Sequence, residues 1–299
     1  MSIPSLSLPS QSSLLIEIET LVKNIAKDLS LEQYATVSDQ ICKRLSAYLS
    51  VYQPDYDYSE YVEAFWFGCN QVGILMSGYL GNSEQLSRLI QIIADYTKRP
   101  MFKRRVSDRR YQTKQNAKRI EGYAQSLHQQ YARLLVIRVD LGYRTDNQPL
   151  IDVDMVYQHL DKINKIRYTN SHFTHLVGSA WCLEQGITKG YHIHAVYYFK
   201  GSEHQRDWYM ANEIGEFWRK LTGGLGTYHS CNTKDEKHKY DQLGKLGIGM
   251  IHRNDSVACE NSINAVGYLA DSEKEDQYLR IKPKRRREFG TGLVLTGVV

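Results

Sequence analysis

The sequence predicts an α+β protein: an all-helical N-terminal domain, then a domain with a central antiparallel sheet flanked by helices. Three observations predict it. Apolar residues recur at helical spacing through most of residues 14–100. The stretch LLVIRVDLGY at 134–143 alternates as a strand does. Two long aromatic and β-branched runs then flank a turn carrying Gly186 and Gly190, the pattern of a hairpin. Strand, helix, hairpin, helix is an order typical of α+β domains.

The elements follow in order. Residues 1–12 are rich in Ser and Pro and are expected to be disordered. Leu14, Ile18, Leu21 and Ile25 mark a first helix, and Ile41, Leu45, Tyr48 and Leu49 a second. Pro54, with Asp55 and Asp57, breaks the pattern. Helical segments are expected near 58–80 and 83–97, and Pro100 ends that region. Residues 13–125 thus read as a helical accessory domain, and 126–299 as the chemistry-bearing one. In the first strand Leu135, Ile137, Val139 and Leu141 face one way, while Leu134, Val136, Arg138 and Asp140 face the other. Val153, Val156, Tyr157, Leu160 and Ile163 mark an amphipathic helix. Long strands are expected over 173–184 and 191–200, a helix near 204–220, short strands at 228–231 and 248–253, and a helix over about 256–276.

Composition narrows the class. The 299 residues are 42% hydrophobic and 24% charged, with enough chain to bury a core. No apolar run reaches the roughly 18 residues that a membrane span needs. No Lys or Arg precedes the first apolar residues, so the N-terminus does not read as a secretory signal. Five widely spaced cysteines without a CxxC disfavour a disulfide framework and a cysteine zinc site. A reduced, intracellular protein fits, with no membrane partner.

Net charge is only +5, but it is clustered. Ten Lys and Arg lie between Lys98 and Arg119, with Asp108 the single acid, and six of eight residues from Arg280 to Arg287 are basic. Lys103, Arg104, Arg105, Arg285, Arg286 and Arg287 are candidates for salt-sensitive contacts to a DNA backbone. The 22 tyrosines suit stacking on unpaired bases, although most serve packing.

His192 and His194 lie two apart on a strand, so both imidazoles share a face. Such a pair is a weak signal by itself. The hairpin sharpens it. A turn symmetric about Thr188 sets Glu184 opposite His192 and Cys182 opposite His194. A carboxylate and two imidazoles then form one cluster. Trp181, Leu183, Ile193, Ala195, Tyr197 and Phe199 back it as core. Two nitrogens and an oxygen suit Mg²⁺, Mn²⁺ or another divalent ion, which could polarise a phosphoryl oxygen. Other uses of the pair fit less well. Ala195 to Phe199 lack a cupin-type Glu, Val196 replaces the Asp of H-x-H-x-D hydrolases, and His172-Phe173-Thr174 is a lone H-x-T. His172 and His175 read as structural.

A covalent mechanism needs a nucleophile, and tyrosines follow the hairpin. Tyr278 has Lys282 four residues on, and Tyr268 has Lys274 six residues on; a nearby cation could favour a phenolate or stabilise phosphate charge. Arg138 and Asp140 share a strand face that could lie beside the site. Arg138 could contact phosphate or simply pair with Asp140.

Taken together, WCLEQGITKGYHIHAVYYF and the later AVGYLADSEKEDQYLRIKPKRRREFGTG resemble the replication proteins of filamentous phages (inoviruses) and their prophage-encoded relatives. These belong to the HUH endonucleases, with rolling-circle replication initiators and relaxases. The resemblance spans about residues 130–292 and implies an HUH-type domain. It implies that His192 and His194 bind the metal, that Glu184 is the acidic third ligand, and that Tyr268 is the nucleophile. Tyr268 would attack a phosphodiester of single-stranded or hairpin DNA, giving a 5′-phosphotyrosine and a free 3′-OH. The reaction would initiate rolling-circle replication of a phage, prophage or satellite element in a bacterial cytoplasm, alongside host replication machinery.

The chain departs from the family at one point. Typical members read Tyr-x-x-Lys, whereas Asp271 stands third after Tyr268. Either Lys274 substitutes, or Tyr278 with Lys282 is the working pair, or nicking is weak. On an ideal helix the two tyrosines would lie about 15 Å apart along the axis and about 80° apart around it. The departure also motivates an alternative: a non-catalytic DNA-binding regulator that keeps the fold.

Overall fold

The computed structural model describes residues 9–27, 29–167, 169–269 and 276–292. The protein is mixed α and β, with an antiparallel sheet of several strands. It divides into two compact units. One comprises residues up to Arg110 together with Leu279–Arg286, and the other Tyr111–Tyr278 with residues from Arg287 onward. The division falls at Arg110, within a helix, where the sequence suggested residue 125. Among the described residues no helix is long and apolar enough to cross a membrane. All five cysteines are free.

The first unit is mainly helical. Helix α1 (Gln11–Ile25) starts inside the stretch expected to be disordered, because Ser10 caps it by accepting a bond from the Ser13 amide. Residues 1–8 lie outside the described residues. Helix α2 (Leu31–Leu49) opens with a Ser30/Gln33 capping box. A short strand β1 (Tyr56–Tyr58) follows Pro54, then α3 (Glu60–Gln71), the single turn α4 (Ile74–Ser77) and α5 (Ser83–Lys98). A Cβ at Gly68 would come within 2.9 Å of Leu89 and Ile93, so the missing side chain lets α3 and α5 close together. Pro100 does not end the helical region but opens α6 (Pro100–Gln130). Arg99 before it is extended, and proline suits a first helical position. The basic stretch is the beginning of this 31-residue helix.

The basic tail returns to this unit, which the sequence did not suggest. Strand β7 (Ile281–Pro283) pairs antiparallel with β1. Just before it, Arg280 pairs with Glu19 on the buried stripe of α1, both side chains at most 3% exposed. Lys23, one turn along α1, holds the other Glu19 oxygen at 2.7 Å, so the buried carboxylate is paired on both sides.

The second unit carries the sheet. Its elements are β2 (Arg133–Tyr143), α7 (Val153–Ile166), β3 (Leu176–Gly186), β4 (Gly190–Lys200), α8 (Asp207–Leu221), β5 (Gly226–Ser230), α9 (Lys234–Gln242), β6 (Gly249–His252), α10 (Ser256–Leu269) and β8 (Phe289–Thr291). Strand order is β5-β2-β4-β3-β8, all antiparallel, and β6 pairs with β2 beyond the end of β5. The H-x-H strand β4 is therefore central.

One face holds Leu135, Ile137, Val139, Leu141, Ile193, Ala195, Tyr197 and Phe199, all buried. Helix α8 closes on it: Trp218 donates to the Gly142 carbonyl, and a Cβ at Gly215 would strike the Tyr228 ring. The opposite face is also packed over part of its length. There Leu134, Val136, Ala180, Val196 and Tyr198 cluster with Ile120, Ala124 and Leu127 of α6 and Val266 and Leu269 of α10. Beyond that cluster the same face turns polar.

Candidate metal centre

Strands β3 and β4 join through a turn in which Gly190 adopts φ +60, and a side chain there would press on Gln148. The register is the one a symmetric turn predicts: Glu184 opposite His192 and Cys182 opposite His194. On the other side of β4, Asp140 of β2 lies opposite His194. One face thus collects Glu184, His192, His194 and Asp140. Glu184 is fully buried, and the two histidines are 3% and 6% exposed.

The ring nitrogens are oriented. His192 Nδ1 lies 3.1 Å from the Gly190 carbonyl and His194 Nδ1 2.6 Å from Asp140 Oδ1. Both Nε2 atoms then point at the same carboxylate oxygen. Glu184 Oε2 is 3.5 Å from His192 Nε2 and 3.2 Å from His194 Nε2. All three ligand atoms lie within 4.8 Å of one another. Ligands bound at about 2.1 Å to one ion sit about 3.0–3.4 Å apart, for octahedral and tetrahedral angles respectively. The group could therefore hold a metal ion. Asp140 would act behind His194 as carboxylates do behind metal-bound imidazoles.

The electrostatics match this layout. Burial disfavours the His194 cation, but the hydrogen bonds to Asp140 and Glu184 and the charges of those two carboxylates together outweigh it and raise the pKa. Burial likewise opposes ionisation of Asp140, yet the bond to His194 and the charges of His194, Arg138 and Lys189 hold it below the usual carboxylate range. Burial also works against the Arg138 cation, and Asp140, Cys231, Tyr240 and Glu184 together outweigh it. Without an ion, a His194 imidazolium can bridge the two carboxylates.

An open hollow adjoins the group on the β5 side. Asp140, Gly142, Lys189, His192, Thr227 and His229 line it. His229 is exposed and lies opposite Asp140 in register, with Thr227 opposite Gly142.

The tyrosine candidates are placed differently. Val266 and Leu269 of α10 bound a small gap together with His194 and Cys182. Tyr268 sits on the same helix but is 55% exposed. At 100° per residue its side chain leaves the helix about 130° away from the Val266–Leu269 direction. Tyr278 is 2% exposed. It is not on a continuation of α10, because Asp276 has φ 53 and β7 begins at Ile281. The helical spacing that would bring Lys282 beside Tyr278 is absent, and Lys282 instead faces Asp57 across the β1–β7 ribbon. Lys274 and Asp271 lie outside the described residues.

Among the basic candidates, Lys103 and Arg104 are exposed on α6. Arg105 is engaged, its guanidinium forked onto both Glu63 oxygens. Arg138 lies 3.8 Å from Asp140 with its side chain 15% exposed, which favours the ion-pair reading of that residue. Arg285 has φ 66 in the turn after β7, Arg286 is half-buried, and Arg287 is exposed. His172 pairs with Glu213, away from the metal group.

Sequence reasoning missed Gln277. Its backbone oxygen accepts from the Gln185 amide at 2.7 Å, and its Oε1 lies 3.1 Å from His192 Nε2. No periodicity marks it, because it reaches the site from a coil segment. Comparisons with protein-family models, curated proteins and solved structures found no match to this chain.

Proposed function

We propose that this protein is an HUH-type, metal-dependent nickase and joiner of single-stranded DNA that initiates rolling-circle replication of a phage, prophage or satellite element. One observation carries the reading: two imidazole nitrogens and a carboxylate oxygen converge on one sheet face, on a strand pair central to an antiparallel sheet. A divalent ion such as Mg²⁺ or Mn²⁺, held by Glu184, His192 and His194, would polarise a phosphoryl oxygen.

The chain's own residues do the rest. Asp140 and the Gly190 carbonyl fix the two imidazoles. Lys189 and His229 offer polar contacts in the adjoining hollow, where a phosphodiester can approach. Tyr268 Oη attacks phosphorus: the Oη–P bond forms, the P–O3′ bond breaks, the phenol loses its proton and the leaving 3′ oxygen gains one. The reverse attack of a 3′-OH rejoins the strand. Tyr268 faces outward, so the reaction requires the last turn of α10 to rotate or unwind toward the sheet. Exposed Lys103, Arg104, Arg285 and Arg287 supply salt-dependent backbone affinity.

The outward Tyr268 and the buried Tyr278 also favour a second reading, a DNA-binding regulator without chemistry. End-labelled oligonucleotides from the element's own origin, incubated with Mn²⁺, separate the two. The nickase yields a product that a polymerase extends from its 3′-OH, and the double variant His192→Ala/His194→Ala yields none. Salt-dependent binding with no cleavage of origin DNA would establish the regulator.

A further inference from the structure

The three-residue group leaves one close neighbour unexplained. His192 Nδ1 lies 3.1 Å from the Gly190 carbonyl, which can only accept. Nδ1 therefore carries the proton, and in a neutral ring Nε2 presents a lone pair. Facing that lone pair at 3.1 Å is Gln277 Oε1, another acceptor. Glu184 Oε2 lies 3.5 Å from the same nitrogen, and His194 Nε2 3.2 Å from that oxygen. By the same logic His194 Nδ1 is committed to Asp140. Once both Nε2 atoms are deprotonated, as metal binding requires, they face Glu184 Oε2 and Gln277 Oε1, an arrangement that a cation satisfies.

We infer that Gln277 is a fourth protein ligand of the divalent ion, through its carboxamide oxygen; this rests on the metal-centre reading above. The position is built into the fold. The Gln277 carbonyl is held by the Gln185 amide at 2.7 Å, on the strand residue next to Glu184. The chemistry also fits, because a neutral amide oxygen is a hard ligand suited to Mg²⁺ and Mn²⁺. The ligand set then draws on the chain beyond α10 as well as on the hairpin, so metal binding pins the coil at Gln277 against β3. The competing arrangement is a rotated amide that donates its N–H₂ to His192 and touches no ion.

Calorimetric titration of the full chain with Mn²⁺ alone tests this, comparing wild type, Gln277→Ala and Gln277→Glu, with melting curves taken without metal. Gln277→Ala should weaken Mn²⁺ binding about tenfold or more. Gln277→Glu, which keeps an oxygen ligand and adds charge, should bind at least as tightly as wild type. Metal-free melting of the alanine variant should not change, because the anchoring bond uses the backbone. Equal Mn²⁺ affinity in wild type and Gln277→Ala overturns the inference and leaves the three-residue centre standing. A wild-type chain that takes up no Mn²⁺ overturns both.

Discussion

Two halves of one sheet face carry opposite chemistry on the same strands. Toward one end, Val136, Val196, Tyr198 and Ala180 lie under α6 and α10 as ordinary core. Toward the other, further along the same alternation, stand Asp140, His194, His192 and Glu184. Apart from the half-buried Asp140 both halves are buried, so burial does not separate them. What separates them is whether polar groups have fixed partners: each imidazole has one nitrogen tied to an orienting acceptor and the other aimed at Glu184. A buried polar cluster is costly unless it is satisfied, and this one is arranged so that it could hold an ion. The apolar half holds the helices in place, and the polar half holds the ligands.

That contrast can be broken from either side. The largest effect is expected in the polar half, where His192→Ala/His194→Ala should remove Mn²⁺ binding altogether by calorimetry while the circular dichroism of the metal-free chain stays helical and sheet-like. In the apolar half, Leu127→Ala should cost about 2–5 kcal/mol by denaturant titration. The Leu127 side chain fills the space where a Cβ at Gly178 would fall. Mn²⁺ affinity of the folded fraction should be unchanged. If Leu127→Ala abolished metal binding in the folded chain, the two halves would not be separable.

Smaller effects sharpen the picture. Asp140→Asn should weaken Mn²⁺ about 10–100-fold, the usual loss when a group behind a metal-bound histidine is changed. The pH dependence has a definite sign. The His194 pKa is raised in the folded chain, so its proton contributes stability to the metal-free protein below the unfolded-state pKa. That contribution is lost as pH rises through the folded value. Metal binding runs the other way, because Nε2 must lose any proton before it can ligate. Mn²⁺ affinity should therefore fall as pH is lowered, with proton release seen as a buffer-dependent heat. Affinity independent of pH across that range would remove His194 from the ligand set.

Much of this was legible in the sequence, for identifiable reasons. Side chains on a strand alternate strictly, so a turn taken as symmetric about Thr188 was enough to place Glu184, His192 and His194 together, and the observed register agrees. Arg138 and Asp140 followed from the same alternation on β2. The β1–β7 ribbon was not legible, because three-residue strands carry no pattern and the partner lies at the far end of the chain. The buried Arg280–Glu19 pair was hidden for the same reason: Arg280 looked like part of a basic surface tail. The direction of Tyr268 was not legible either. Helix α10 is apolar around much of its girth (Val257, Cys259, Ile263, Val266, Leu269), and spacing did not say which flank would meet the sheet. Tyr278 looked helical because the run from Ser256 is locally compatible with a helix, whereas the chain turns at Asp276 and becomes strand at Ile281.

The central claim joins the metal group to a tyrosine on α10, and one measurement addresses both. Single-stranded origin DNA is incubated with the protein and Mn²⁺, the products are separated under denaturing conditions, and any DNA-bearing peptide is sequenced by mass spectrometry. The account predicts a phosphodiester-derived adduct on Tyr268 that is lost with Tyr268→Phe, with His192→Ala/His194→Ala and with chelator, but not with Tyr278→Phe. An adduct on Tyr278, or none on origin DNA that the protein demonstrably binds, would contradict it.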